Sequence, residues 1–176
     1  MRALPSVVAN WHLTIMAELA AGTPKGCFVE VGVYKGGSAL ELYAVAKQQG
    51  RDLHLFDTFT GIPVKDLIDR HEIGDFCDAD LDAIRKEMPE AVIHAGQYPD
   101  THPEDLKDIA FIHCDCDQYQ SYRAVIDRMY PLLVPGGILL FDDYPYLAGA
   151  KKAVDESFPP GFLRETGRSR FYVLKI

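Results

Sequence analysis

The sequence predicts an α/β fold, a mostly parallel sheet with helices on both faces that finishes in an antiparallel hairpin. Three observations carry this. Short apolar runs of strand length alternate with helix-length segments along most of the chain. Glycine- and proline-rich breaks such as 22–26 and 135–137 stand between them. The last stretch, 162–176, splits into two short runs around Thr166-Gly167-Arg168, a hairpin spacing. Strand–helix–strand crossovers make neighbouring strands parallel. The 176 residues suit one domain, 1–176, in which 1–24 form a short N-terminal helical segment.

The elements follow in order. Val8, Trp11, Ile15 and Leu19 recur at helical spacing and predict a helix over 6–20 with those residues inward. Cys27 to Val31 reads as a buried strand, 32–37 as a glycine-rich turn, and 38–49 as a helix stopped by Gly50. Leu53 to Phe56 is a second strand closed by Asp57. Residues 58–77 are long, polar and irregular, the kind of stretch that is often functional. Asp78 or Asp80 then caps a helix with Leu81, Ile84 and Met88 on one face. Residues 91–94 and 109–113 supply strands three and four. A helix over 119–133 turns Tyr122, Ile126, Met129 and Leu133 inward. Pro135-Gly136-Gly137 is a turn, 138–141 the fifth strand and 149–158 the last helix, giving seven strands with the hairpin.

The formal net charge is −8, from 18 Lys and Arg against 26 Asp and Glu. That sign argues against a broad nucleic-acid face and against an anionic membrane surface, and favours a cation or a positively charged ligand. The acidity is local, since 57–117 hold 16 acids and 5 bases while the rest of the chain holds 10 and 13. No apolar run approaches the ~18 residues of a membrane span. The N-terminus has Arg2 but no clean apolar stretch ending in small residues, so no secretory signal is expected. Cys27, Cys77, Cys114 and Cys116 do not suggest a small disulfide scaffold, and a cytoplasmic protein with reduced thiols is expected.

Ligands of parallel sheets bind beyond the carboxyl ends of the strands, where strand order reverses. After strand one, Gly32 permits a tight turn, and Gly36 and Gly37 open the helix from Ser38 and allow a ligand near the backbone. The pattern is not G-x-G-x-x-G, which argues against a pyrophosphate. Asp57 follows strand two, 25 residues past Gly32, placed to accept from a ribose or else to cap a turn. Gly96, Gln97 and Tyr98 follow strand three, fit to contact an adenine or simply to turn the chain. Strand four ends in His113-Cys114-Asp115-Cys116-Asp117, and strand five in Asp142-Asp143. Asp115, Asp142 and Asp143 therefore converge, which a hard divalent cation would make tolerable. The alternating cysteines share one face and read as core residues, and Asp117 is either a ligand or a helix cap.

These motifs together resemble the macrocin O-methyltransferase family of class I S-adenosylmethionine-dependent methyltransferases. The similar stretches are FVEVGVYKGGS (28–38), LFDTFTGIP (55–63), HCDCDQY (113–119), MYPLLVPGG (129–137), FDDY (141–144) and KKAVDESF (151–158), spanning the chain from about residue 25 onward. The resemblance implies a Rossmann-like fold and S-adenosylmethionine as cofactor. It implies that Glu30, Gly32, Tyr34, Gly36 and Ser38 hold the methionine part and that Asp57 takes the ribose hydroxyls beside Thr58 and Phe59. Gly96 and Gln97 would lie beside the adenine. Asp115, Asp142 and Asp143 would hold Mg²⁺, with Asp115 also beside the cofactor.

The implied reaction is methyl transfer to a hydroxyl of a sugar or secondary metabolite. An ion-bound hydroxyl is more acidic, and a base removes its proton. Asp115 is the first candidate base, with Asp117 and His113 behind it. A metal-independent methyltransferase and a catalytically idle cofactor-binding module are the alternatives. About two dozen residues precede the first strand, fewer than in larger family members with an N-terminal lid. The acceptor pocket is thus expected to be open, formed by 58–77, or completed by a partner subunit. A homodimer using Trp11 and the first helix is one possibility.

Overall fold

The computed structural model describes residues 4–176, so Arg2 and the signal-peptide reading that used it lie outside the described residues. Seven strands form one sheet in the order β3-β2-β1-β4-β5-β7-β6. They are β1 (Cys27–Val31), β2 (Leu53–Asp57), β3 (Val92–Ala95), β4 (Ile109–Cys114), β5 (Leu133–Phe141), β6 (Arg164–Glu165) and β7 (Phe171–Leu174). The five strands β1 to β5 pair in parallel, while β7 runs antiparallel to both β5 and β6. The expected hairpin is present, and it enters the sheet through its second strand, not its first. Strand order reverses between β1 and β4, which opens a crevice at their carboxyl ends.

Helices α1 (Asn10–Ala21), α2 (Gly37–Gln49) and α3 (Leu81–Glu87) cover one face. They pack Met16, Ala20, Leu42, Ala46 and Ile84 against Phe28, Leu55, Phe111 and Leu140. Helices α4 (Tyr119–Met129) and α5 (Ala148–Ser157) cover the other, with Tyr122, Val125, Met129, Ala153 and Val154 on Val29, Ile112, Leu139 and Val173. The alternating inward residues of β1 and β4 thus serve two cores at once.

The sequence reading differs from the structure in a few places. On α1 the buried face is His12, Met16 and Ala20, not Trp11, Ile15 and Leu19. The helix is turned by about one residue, roughly 100°, so the larger apolar side chains sit at its flanks. Val8 is buried but precedes the helix. The helix over 119–133 ends at Met129, because Pro131 converts the next turn to a 3₁₀ turn over Tyr130–Leu132. Leu133 already belongs to β5, which runs through Pro135-Gly136-Gly137 where a turn is expected. A register shift opposite Ile109 and Phe111 absorbs the extra residues, and Gly136 takes a left-handed φ of 83°.

Candidate functional site

A cavity of about 320 Å³ opens at the carboxyl ends of β1, β2, β4 and β5, within the size range of ligand pockets. Of the residues singled out in the sequence, Gly32, Tyr34, Asp57, Thr58, Gly96, Gln97, Asp115, Asp117, Asp142 and Asp143 line it. Glu30, Gly36, Ser38, Phe59 and His113 do not line it.

The first turn is built by close approach of the chain to itself. Gly32 has φ of 91°, and a Cβ there would fall 1.7 Å from the carbonyl oxygen of Asp115. The space beside Gly36 and Gly37 is taken by Leu4, Ile84 and Ser6, not left for a ligand. Glycine is needed at all three because the chain's own atoms fill the position of a side chain. Asp57 fixes the same turn. Its Oδ2 accepts from the N–H groups of Val33 at 2.7 Å and Tyr34 at 2.8 Å, and its Oδ1 accepts from Phe59 N–H at 2.7 Å. Its carboxylate therefore orders the loop as well as facing the cavity.

Residues 58–77 form no helix or strand and wrap over the cavity, contributing Thr58, Gly61, Ile62, Pro63, His71 and Phe76. The stretch is tied down from both sides. Gln118 Nε2 donates to Val64 O at 3.0 Å, and Tyr119 N–H donates to Asp69 Oδ1 at 2.9 Å. Asp66, Asp69, Glu72 and Asp82 read as a solvated face in the sequence. Asp69 departs from that, since it is buried and accepts from the first turn of α4. Asp117 does not cap α4. Asp80 caps α3, accepting from Ala83 N–H at 3.0 Å, while Asp78 takes Tyr34 Oη and Lys35 Nζ.

Three carboxylates converge as their spacing suggests. One oxygen from each of Asp115, Asp142 and Asp143 lies within 4.8 Å of the others. No Lys or Arg side chain forms an ion pair with them among the described residues. Burial, then Asp142 and Asp143, holds the Asp115 carboxyl well above the usual range. Burial, then Asp117 and Asp142, pushes Asp143 up to about 8. Burial pushes Asp117 up to about 7, with Asp142 adding to it. Such a set is costly without positive charge and fits a hard divalent ion with oxygen ligands.

Asp142 behaves oppositely. Burial would raise it, but the imidazoles of His113 and His12 hold it far below the usual range. His12 Nδ1 lies 2.7 Å and His113 Nε2 3.8 Å from Asp142 Oδ1, and His113 Nδ1 lies 2.7 Å from Glu30 Oε1. His113 is thus fully buried behind the cavity wall, which removes it as a base that could reach an acceptor. Sequence reading missed His12, because its one-residue error in the phase of α1 turned this position outward. It also missed His71, whose Nε2 stands 3.5 Å from Asp117 Oδ1 across the cavity. Cys114 and Cys116 bring their sulfurs to 3.6 Å in the core, as their alternation implies.

A family model described as Macrocin-O-methyltransferase (TylF) matches residues 12–158. The 8-demethyl-8-(2,3-dimethoxy-alpha-L-rhamnosyl)-tetracenomycin-C 4'-O-methyltransferase of Streptomyces olivaceus is 29% identical over 154 residues, 77% of this chain and 59% of that protein. The mycinamicin III 3''-O-methyltransferase of Micromonospora griseorubida is 24% identical over 168 residues, 84% and 65% of the two chains. The chain spans about three-fifths of the length of the curated relatives it matches. In fold it is similar to the O-methyltransferase NovP, with a TM-score of 0.84 at 22% identity over 97% of this chain and 81% of that one. The calicheamicin methyltransferase CalS11 superposes with a TM-score of 0.77 at 21% identity, covering 93% and 77%.

Proposed function

The chain belongs to the macrocin O-methyltransferase family, and on that premise we propose that it methylates a hydroxyl of a sugar or other secondary metabolite, using S-adenosylmethionine and a divalent cation. The observation that carries this is the meeting of Asp115, Asp142 and Asp143 on the wall of the cavity at the reversal point of the sheet. Gly32, Tyr34, Asp57, Thr58, Gly96 and Gln97 would hold the cofactor, whose positive sulfonium suits a cavity lined by five aspartates and no Lys or Arg. Glu30, Gly36, Ser38 and Phe59 support that wall from behind.

When bound, Mg²⁺ or a similar hard ion polarises the acceptor hydroxyl and lowers its pKa. Asp115, Asp142 and Asp143 would hold it. Asp117 removes the proton. It faces the cavity beside the three converging carboxylates, and burial raises its pKa, which makes it a stronger base than an exposed aspartate. Asp115 would be the second candidate base, since one of its oxygens would serve the ion. The wall from Ile62 to Phe76 bounds the acceptor and keeps water from the transferring methyl group. The four cysteines are free, which supports a reducing cytoplasmic setting, and among the described residues no helix is long and apolar enough to cross a membrane.

Methyl transfer to a panel of deoxysugar and phenolic acceptors, with and without excess EDTA, tests the reading. Chelation is expected to abolish turnover while S-adenosylhomocysteine still binds. Unchanged turnover in EDTA would remove the ion from the mechanism.

A further inference from the structure

Among the described residues, ten buried side-chain nitrogen and oxygen atoms have no aligned hydrogen-bond partner, and five of them fall in one place. They are Nδ1 and Nε2 of His12, Nε2 of His113, Oδ1 of Asp142 and Oε2 of Glu30. His12 Nδ1 and Asp142 Oδ1 meet each other at 2.7 Å, and the remaining three, His12 Nε2, His113 Nε2 and Glu30 Oε2, are a concentration that buried polar groups rarely show. His12 and His113 are both fully buried, and their rings stand 5.8 Å apart.

The donor set says which occupant fits. His113 Nδ1 is engaged by Glu30 Oε1 at 2.7 Å. His113 Nε2 faces Asp142 Oδ1 at 3.8 Å, and a metal ion there would take the Nε2 lone pair and leave the Nδ1 proton to Glu30. A carboxylate behind a histidine, with the far nitrogen free, is the usual support of a metal-bound imidazole. One nitrogen each from His12 and His113 and one oxygen of Asp142 all lie within 4.8 Å of one another. The nearby cation, Arg170, is directed elsewhere, donating to the main-chain oxygen of Asp142 and packing over Trp11 and Tyr146. Asp142 also lines the cavity, which gives an entry path.

We propose that His12, His113 and Asp142 form a second metal site, for a borderline divalent transition ion such as Zn²⁺ or Co²⁺. Two imidazoles and one carboxylate select such ions over Mg²⁺, whereas the all-carboxylate set selects the reverse. The two sites share Asp142, so the transition ion competes with the hard ion for one ligand.

Binding of Co²⁺ alone, followed by visible absorption, tests this without any methyl transfer. The unaltered protein is expected to show the intense bands of four- or five-coordinate, nitrogen-ligated Co²⁺. Zn²⁺ should displace them mole for mole and Mg²⁺ should not. The bands should survive Asp115→Asn and disappear in His12→Ala, with Zn²⁺ affinity falling at least about tenfold. His12→Gln, which keeps a polar side chain of similar length, replaces His12→Ala if the alanine variant does not fold. Only weak octahedral bands, or bands lost in Asp115→Asn but kept in the His12 variant, would overturn the proposal. Zn²⁺ soaked into crystals of the unaltered protein provides a test free of variants. Anomalous density about 2.0–2.1 Å from a nitrogen of both histidines supports the site, and density only among the three aspartates refutes it.

Discussion

The two ends of the sheet handle charge in opposite ways. At the amino ends of β1, β2 and β4 a second cavity of about 790 Å³ is lined by Lys25, Arg51, Lys107, Asp52, Asp105 and Asp108, among others. Its charges balance, and its most demanding group is satisfied. The Arg51 guanidinium donates to Thr23 Oγ1 and O and to Pro24 O, and stacks 4.9 Å from the Phe28 ring. The smaller cavity at the carboxyl ends has five aspartates and no Lys or Arg on its wall, and burial and mutual repulsion raise the pKa of three of those carboxyls. Size therefore does not identify the site. Uncompensated polarity sets the two apart, because burying it costs free energy that a positively charged ligand would offset.

The largest expected break in this contrast is Gly32→Ala. The new methyl would meet Asp115 O at 1.7 Å on a backbone with positive φ, so the turn must move. We expect a loss of more than about 3 kcal/mol in urea unfolding, together with loss of cofactor binding. The control is Gly50→Ala, where φ is 63° but nothing lies within 4 Å. It should cost only about 1 kcal/mol, the strain of the left-handed backbone.

Asp143→Asn sharpens the comparison from the functional side. Its Oδ2 accepts from Asp117 N–H and lies within reach of Tyr122 Oη, contacts an amide oxygen can keep. Methyl transfer should fall at least about 100-fold, while the melting temperature holds or rises, because a desolvated carboxyl is gone. Arg51→Ala should do the reverse, costing about 1–3 kcal/mol through its lost hydrogen bonds and leaving turnover per folded molecule unchanged.

The smallest effect is a pH dependence at the amino-end cavity. His54 Nδ1 and His94 Nε2 lie 3.0 Å apart, so one ring donates and the other must stay bare. Burial lowers both pKa values, with Asp52 and Asp105 opposing this at His54 and His54 and His102 reinforcing it at His94. The fold therefore binds fewer protons here than the unfolded chain, whose histidines titrate near 6.5. This contribution is fully present above pH 6.5 and is lost as pH falls below it. Urea midpoints on either side of 6.5 should differ less in His94→Gln than in the unaltered protein.

Much of this was legible in the sequence for specific reasons. The parallel strands announce themselves as short apolar runs, and the site residues sit in the first positions after them. The convergence of Asp115 with Asp142 and Asp143 needs only adjacency of β4 and β5, which sequence order supplies. What stayed hidden depends on long-range packing. The capping of α4 by Asp69 spans 50 residues of chain, and no local pattern announces it. The burial of His12 turns on a helix phase set by contact with the sheet. The continuation of β5 through Pro135-Gly136-Gly137 depends on a bulge opposite β4, where turn chemistry alone points to a break.

The claim that the unsatisfied acidic end of the sheet is where cofactor and ion bind has one direct test, a crystal grown with S-adenosylhomocysteine and Mn²⁺. The nucleoside is expected along Asp57, Gly96 and Gln97, with an anomalous peak among Asp115, Asp142 and Asp143. Anomalous density absent from those three carboxylates, or cofactor bound at the amino-end cavity, would contradict it.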